Sequence, residues 1–213
     1  MINRFFLMTI PILIISSRLI AQVIDKDGNI YDIVKIGTQV WMAENLDVSH
    51  FRNGDSITEI EDTVEWLKAG DEGKPAWCYY KSNQEFGMRY HKLYNWYAVN
   101  DPRGLAPERW HIPSTLEWAD LTDYLGRENI AGKKMKSANA WDGTNESGFT
   151  GLPGGYRNNS GEFVHNGNIG SWWSSSENDS TNAWSRSLAY GVSVVSRSFD
   201  GKRVGLSIRC IKD

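Results

Sequence analysis

Ten tryptophans stand among 213 residues, most of them in short stretches punctuated by Gly, Ser and Asn, such as Gly170-Ser171-Trp172-Trp173-Ser174-Ser175-Ser176. An indole carries a large apolar face and one N–H that needs a partner. A chain this rich in it must either staple a loop-rich core with rings or present them to a flat ligand. No cluster of acids, bases or metal ligands accompanies them in the sequence. The aromatic pattern therefore specifies a kind of core and leaves the activity open.

The chain starts Met1-Ile2-Asn3-Arg4, continues with an apolar run from Phe5 to Ile15, and reaches Ala21-Gln22 through Ser16-Ser17-Arg18-Leu19-Ile20. A charged start, a short apolar stretch and a small residue at the junction predict a secretory signal peptide over residues 1–21, cleaved after Ala21. A membrane anchor is the competing reading, but the run falls short of the roughly 20 residues that span a bilayer, and Pro11 lies within it. No Cys follows the run to accept a lipid. Residues 22–213 are then expected to form one exported domain, in the periplasm, at the cell surface or outside, with no membrane span. That part carries 21 basic and 26 acidic residues, a net charge of −5, with no Lys/Arg block. Nucleic acid is not an expected partner. Cys78 and Cys210 are the only cysteines. An oxidising compartment permits one long-range disulfide between them, worth about 4 to 5 kcal/mol in the chain-entropy picture. The alternative is two buried thiols packed as small hydrophobes.

Val23 to Leu46 reads as strand-rich, with Asp27-Gly28 turning a hairpin and Gly37-Thr38 preceding Val40-Trp41-Met42. Asp25-Lys26-Asp27-Gly28-Asn29 resembles the start of a calcium loop only superficially, because Ile36 stands where an EF-hand needs its glutamate. Asp62-Thr63-Val64-Glu65 has capping-box spacing and predicts a short helix that buries Trp66 and Leu67 and ends at Gly70. Trp77–Tyr80 and Leu93–Val99 are aromatic and predict strands. Ser114-Thr115-Leu116-Glu117 is a second capping box, opening a helix with Trp118, Leu121 and Leu125 on one face and Gly126 as its stop. A weaker helix is expected over Asn129–Ser137. From Phe149 onward strands and turns alternate: Trp184, Arg186 and Leu188 share one face, Val192 and Val194 belong to a further strand, and Leu206, Ile208 and Cys210 line a final one. The fold class is α+β, with twisted antiparallel sheets, two main helices on one side and many loops.

His111 could serve as a general base beside a helix start, but no G-x-S-x-G nucleophile motif occurs, so a structural histidine bonded to nearby backbone is the expectation. His50, His91 and His165 are scattered, and neither His-x-x-x-His nor Cys-x-x-Cys spacing is present for zinc. No catalytic residue, metal site or cofactor is expected. Binding surfaces favour loops on a rigid sheet. The candidates are Trp173, Trp184 and Tyr190, which could stack on a sugar face, and Glu177 and Asn178, which could hold its hydroxyls. For each indole the competing reading is buried core. Arg157, Arg186 and Arg209 are expected to pair with sheet neighbours or acids, or to meet an acidic partner.

Trp110-His111-Ile112-Pro113-Ser114, Leu152-Pro153-Gly154-Gly155-Tyr156-Arg157, Trp172-Trp173-Ser174-Ser175-Ser176-Glu177 and Ser207-Ile208-Arg209-Cys210-Ile211 together resemble the Fibrobacter succinogenes major paralogous domain, a secreted or surface module of bacteria. Val34–Leu46, including Trp41-Met42-Ala43-Glu44-Asn45, and Leu93–Val99 extend the likeness in order over nearly the whole of residues 22–213. The resemblance implies a C-type-lectin-like fold whose loops carry any binding surface, and implies little about activity. Members usually carry a Cys just before the Trp-His-x-Pro element, where this chain has Ala106, and often pair it with the position of Cys210. The Glu-Pro-Asn, Gln-Pro-Asp and Trp-Asn-Asp elements of calcium-dependent lectins are absent; Trp141-Asp142-Gly143 and Glu177-Asn178-Asp179 are the nearest oxygen-rich stretches and read as solvated loops. Formylglycine-generating enzymes, which share the broad fold, use paired cysteines close together late in the chain, unlike Cys78 and Cys210. The expected function is a non-catalytic envelope or secreted module binding glycan or a protein ligand. A structural envelope or matrix protein is the alternative, and an oxidase the less favoured one.

Overall fold

Local turn chemistry decides how the chain begins. The computed structural model describes residues 22–213, and the expected signal peptide lies outside them. β1 (Gln22–Ile24) and β2 (Ile30–Ile36) pair antiparallel as a hairpin. Its turn holds Gly28 at φ +85°, a left-handed conformation that favours glycine. The Asp25 carboxylate braces the turn from inside, accepting the N–H groups of Asp27 and Asn29 and the Tyr31 hydroxyl. β3 (Gln39–Met42) returns along β2 with Trp41 opposite Val34.

After β4 (Thr58–Glu59), Asp62 caps α1 (Thr63–Asp71) by accepting the N–H groups of Val64 and Glu65. The helix does not stop at Gly70. That residue is buried where a Cβ would lie 2.3 Å from the Cβ of Arg203, so its glycine serves close packing and not termination. β5 (Ala76–Cys78) leads through a short 3-10 turn to α2 (Gln84–Tyr90), capped by Asn83 and not foreseen. The strand expected over 93–99 is only β6 (Leu93–Tyr94). The Asn95 side chain accepts the N–H groups of Ala76 and Ala98, tying off the sheet and starting α3 (Trp96–Val99) in one move.

β7 (Trp110–His111) precedes α4 (Thr115–Tyr124), which opens on both halves of the Ser114–Glu117 capping box and buries Trp118 and Leu121 as expected. α5 (Glu128–Met135) packs beside it. The remaining strands are β8 (Tyr156–Arg157), β9 (Phe163–Val164), β10 (Ile169–Glu177), β11 (Asn182–Ala189), β12 (Val195–Gly201) and β13 (Ile211–Lys212). Val192 and Val194 lie exposed in the turn before β12 and not on a strand. The expected final strand is also broken. Gly205, Leu206 and Ser207 bridge in turn to Arg157, Tyr94 and Trp172, so this buried segment stitches three neighbours together and has no single ladder partner.

The sheets are five-stranded β1-β2-β3-β13-β7, three-stranded β10-β11-β12, three-stranded β4-β5-β6 and the β8-β9 pair, antiparallel throughout except between β4 and β5. α4 and α5 cover one face of β10–β12, giving an α+β architecture with the two main helices on one side. Nine of the ten indoles are buried. Trp77, Trp96, Trp110 and Trp173 fill one cluster, Trp41, Trp118, Trp141 and Trp172 a second, and Trp66 a third.

Asn45 joins these parts. Its Oδ1 accepts from Trp172 Nε1 at 2.8 Å and from Arg209 Nη2 at 2.8 Å, while its Nδ2 donates to the Tyr90 carbonyl at 3.0 Å. Arg209 also donates to the carbonyls of Met42 and Phe149 and lies 4.2 Å from the centre of the Phe149 ring. Burial lowers its pKa to about 9, with Glu44 opposing the shift, so it stays charged at neutral pH. Arg157 is solvated in the same way, by the carbonyls of Ile60, Glu61 and Gly161, between the rings of Trp66 and Phe163. Of the expected partners, sheet neighbours or acids, neither arginine meets an acid; main-chain oxygens and, for Arg209, the Asn45 side chain take that place.

Cys78 and Cys210 are free, buried and assigned to different clusters, so no disulfide joins them. Burial pushes the Cys78 thiol up to about 12 and raises that of Cys210 as well. Both should resist a thiol reagent in the native protein and react at once in denaturant; modification of either without unfolding would contradict this packing. Asn45→Ala should lower stability by about 3 kcal/mol or more, since it strands buried donors of Trp172 and Arg209 and the Tyr90 carbonyl. Urea unfolding midpoints measure this.

Candidate functional site

Cross-strand pairs on one face of β11 and β12 run from covered to open. Leu188 opposite Val195 is buried beneath the helices, Arg186 opposite Arg197 comes next, Trp184 opposite Phe199 follows, and Asn182 opposite Gly201 closes the row. α4 and α5 shield the first pair and Arg186 of the second, which donates to the Thr115 carbonyl at the start of α4. Phe199 is 53% exposed, and Trp184 is the one indole outside the buried set. Trp184 meets Phe199 edge-on at 5.9 Å, and the Arg197 guanidinium lies 4.1 Å from the Trp184 ring centre. β12 is an edge strand, and past the buried Val195 its residues 196–199 are exposed.

Beyond Asn182 and Gly201 a cleft of about 570 Å³ opens between the β10–β11 turn and α1. Tyr97, Asn159, Thr181 and Asn182 give it hydroxyl and amide groups, and Asp71 and Arg203 pair across it at 3.0 Å. Lys202 is almost wholly buried at its floor, with its ammonium 4.8 Å from the centre of the Trp96 ring. It donates to the Ser180 carbonyl and to Glu177. Asp179 folds back on its own turn, accepting from the Asn182 side chain and from the N–H and hydroxyl of Thr181, bonds that hold its carboxyl well below the usual range.

The five residues expected to bind do not converge. Trp184, Glu177 and Asn178 gather at this end of the sheet, with Glu177 already engaged by Lys202 and Asn178 bonded to Asp179. Tyr190 is 63% exposed but sits in the turn at the opposite end of β11. Trp173 is a correction: it is 0% exposed and its Nε1 donates to the Tyr94 carbonyl, because β10 is covered on both faces, with Trp172 in one cluster and Trp173 in another. Phe199, Arg197, Tyr97 and Asn159 were missed. For the first two a signal existed: Trp184-Ser185-Arg186-Ser187-Leu188 and Val195-Ser196-Arg197-Ser198-Phe199 mirror one another, as the two strands of an antiparallel hairpin can. Among the described residues no three His, Cys, Asp or Glu side chains are placed to hold a metal ion, and no helix is long and apolar enough to cross a membrane.

Residues 34–212 match the family model for the Fibrobacter succinogenes major domain. No curated protein and no solved structure matches the chain.

His111, the one histidine with a chemical reading in the sequence, bonds no backbone group. Its Nδ1 meets Asp213 and its Nε2 meets Glu117, each at 2.7 Å, tying β7 to the α4 capping box. Burial disfavours the imidazolium, but the two carboxylates outweigh it and raise the His111 pKa above 6.5. Burial likewise works against ionised Glu117, whereas the Ser114 N–H and His111 prevail and lower its pKa below 4.5. The His111 contribution to stability is therefore complete below pH 6.5 and lost as pH rises through the raised value. The Glu117 contribution is present above pH 4.5 and lost as pH falls through the lowered one. Unfolding free energy measured from pH 6 to 9 should decline in the native protein more than in His111→Gln; parallel curves would show that His111 makes no such contribution.

Proposed function

We propose that this chain, which belongs to the Fibrobacter succinogenes major domain family, is a non-catalytic binding module of the bacterial envelope or exterior that recognises glycan at the open end of β10–β12. The observation that carries the reading is Trp184: of ten indoles it alone is not buried, and it lies next to a polar cleft. A sugar ring offers C–H faces that pack on aromatics and a rim of hydroxyls that need amides and hydroxyls in return. Trp184 and Phe199 supply the first, and Asn159, Thr181, Asn182 and Tyr97 the second.

A C-type-lectin-like arrangement, with helices on one side of curled antiparallel sheets and the binding surface on the connecting loops, agrees with this placement. Export agrees with the charged and apolar character of residues 1–21. An oxidase of the formylglycine-generating kind has less support, since Cys78 and Cys210 are buried in separate clusters with raised thiol pKa values.

Trp184→Ala should weaken glycan binding by about tenfold or more, roughly the contribution of one stacked aromatic, while leaving the far-ultraviolet spectrum and thermal midpoint close to those of the native protein. A glycan array followed by calorimetry tests this. Silence across diverse glycans, together with selective capture of one protein partner, would replace the glycan reading with a structural role in the envelope.

A further inference from the structure

Arg186 and Arg197 stand directly opposite one another on β11 and β12, with both side chains on the face that carries Trp184. Like charges in that position repel and weaken a sheet. Several other cations have carboxylate partners: Arg103 with Asp101 at 2.8 Å, Arg203 with Asp71 at 3.0 Å, Lys136 with Asp142 at 2.7 Å, and Lys202 with Glu177; the buried Arg157 and Arg209 have none, but their guanidinium groups are met by oxygens on each side. Among the described residues no carboxylate pairs with either Arg186 or Arg197.

Arg186 is 2% exposed and donates only to the carbonyls of Ser185 and Thr115. Its Nε is buried with no partner, and so is the hydroxyl of Thr115 at the start of α4. Native proteins rarely leave such groups unsatisfied, and a buried guanidinium is costly without a counter-charge. Burial lowers the Arg186 pKa to about 10 and the Arg197 charge adds to the lowering, while the charge of Glu128 opposes it. Arg197, by contrast, is exposed, and its guanidinium is held in place against the Trp184 ring. A buried cation with no carboxylate partner and the exposed cation opposite it thus form one rung of the sheet face, and the partly exposed Trp184–Phe199 pair forms the next. The surrounding protein is acidic, with 26 Asp and Glu against 23 Lys and Arg in the whole chain, so general charge does not account for the concentration.

We infer that the Arg186–Arg197 pair receives the acidic group of the glycan, a uronate carboxylate or a sulfate ester, whose ring lies along Trp184 and Phe199. This rests on the glycan reading of the same surface. Arg197 makes the direct contact, through the planar fork that guanidinium offers to carboxylate and sulfate oxygens. Arg186, its cross-strand neighbour on the same face, adds positive charge, and an incoming anion would offset the repulsion between the two. A neutral sugar would leave that repulsion in place.

Three probes of matched length separate the alternatives by calorimetry: tetragalacturonate, a sulfated galactotetraose and neutral galactotetraose. The expected result is saturable binding of one or both acidic probes, tighter than the neutral one by about tenfold and weakened in about 0.5 M NaCl. Which acidic probe binds identifies carboxylate or sulfate as the recognised group. Arg197→Gln should abolish the preference and Arg197→Lys should restore part of it, with thermal midpoints at or above the native value because Arg197 is exposed and a like-charge contact is removed. Equal binding of neutral and acidic probes, unchanged by Arg197→Gln, would overturn the inference while leaving glycan recognition intact. Failure of all three probes, or binding of an acidic peptide through these arginines in their place, would overturn both.

Discussion

One buried hydrogen-bonding centre holds this molecule together: the guanidinium of Arg209 and the indole N–H of Trp172 converging on the Asn45 side chain. A charge inside an aromatic core is tolerable only if each N–H finds an oxygen. Here the oxygens come from Met42 and Asn45 in one segment and from Phe149 in another, while Arg209 itself belongs to a third. Each segment is thereby fixed relative to the others by directional bonds, which rings alone would not provide. Trp41, Trp118, Phe149 and Trp172 then pack edge to face around the centre, with the Trp41 and Trp118 rings 4.9 Å apart. The segments that carry the family likeness, around Asn45, Trp172 and Arg209, meet at this point, so these motifs encode a core.

Features written in a few adjacent residues were legible in the sequence. The Asp27-Gly28 turn and the Ser114–Glu117 capping box depend only on neighbours, and both formed where the residues indicated. Leu93–Val99 has strand-like composition, yet the strand ends at Tyr94 because the Asn95 amide finds partners at Ala76 and Ala98, a contact decided by tertiary approach. Gly70 reads as a helix stop and turns out to be a point of contact with Arg203, which lies far away in sequence. The binding candidates divide in the same manner. Nothing local distinguishes Trp173 from Trp184. The first is buried because its strand has covering on both sides, the second is open because it lies past the reach of the helices.

That division gives the late sheet two roles. Its β10 side is core, while its β12 side remains an edge with alternating Ser and larger residues that the fold can leave wet. Serine on the flanking positions keeps an exposed edge polar, which discourages pairing with another chain. The exposed Arg197 and Phe199 between those serines can therefore change without disturbing Trp172 or Trp173.

The placement of β13 has a kinetic consequence. This strand inserts between β3 and β7, and Ile211 lies opposite Trp41 across about 170 residues of intervening chain. The central sheet therefore cannot be completed until the two distant ends of the domain have met, and Arg209 arrives with the same segment. Closure of so large a loop predicts slow, highly cooperative assembly, in which partial chains gain little from the contacts they can already make. Under the proposed export, a chain that crosses a membrane unfolded would gain from such late locking.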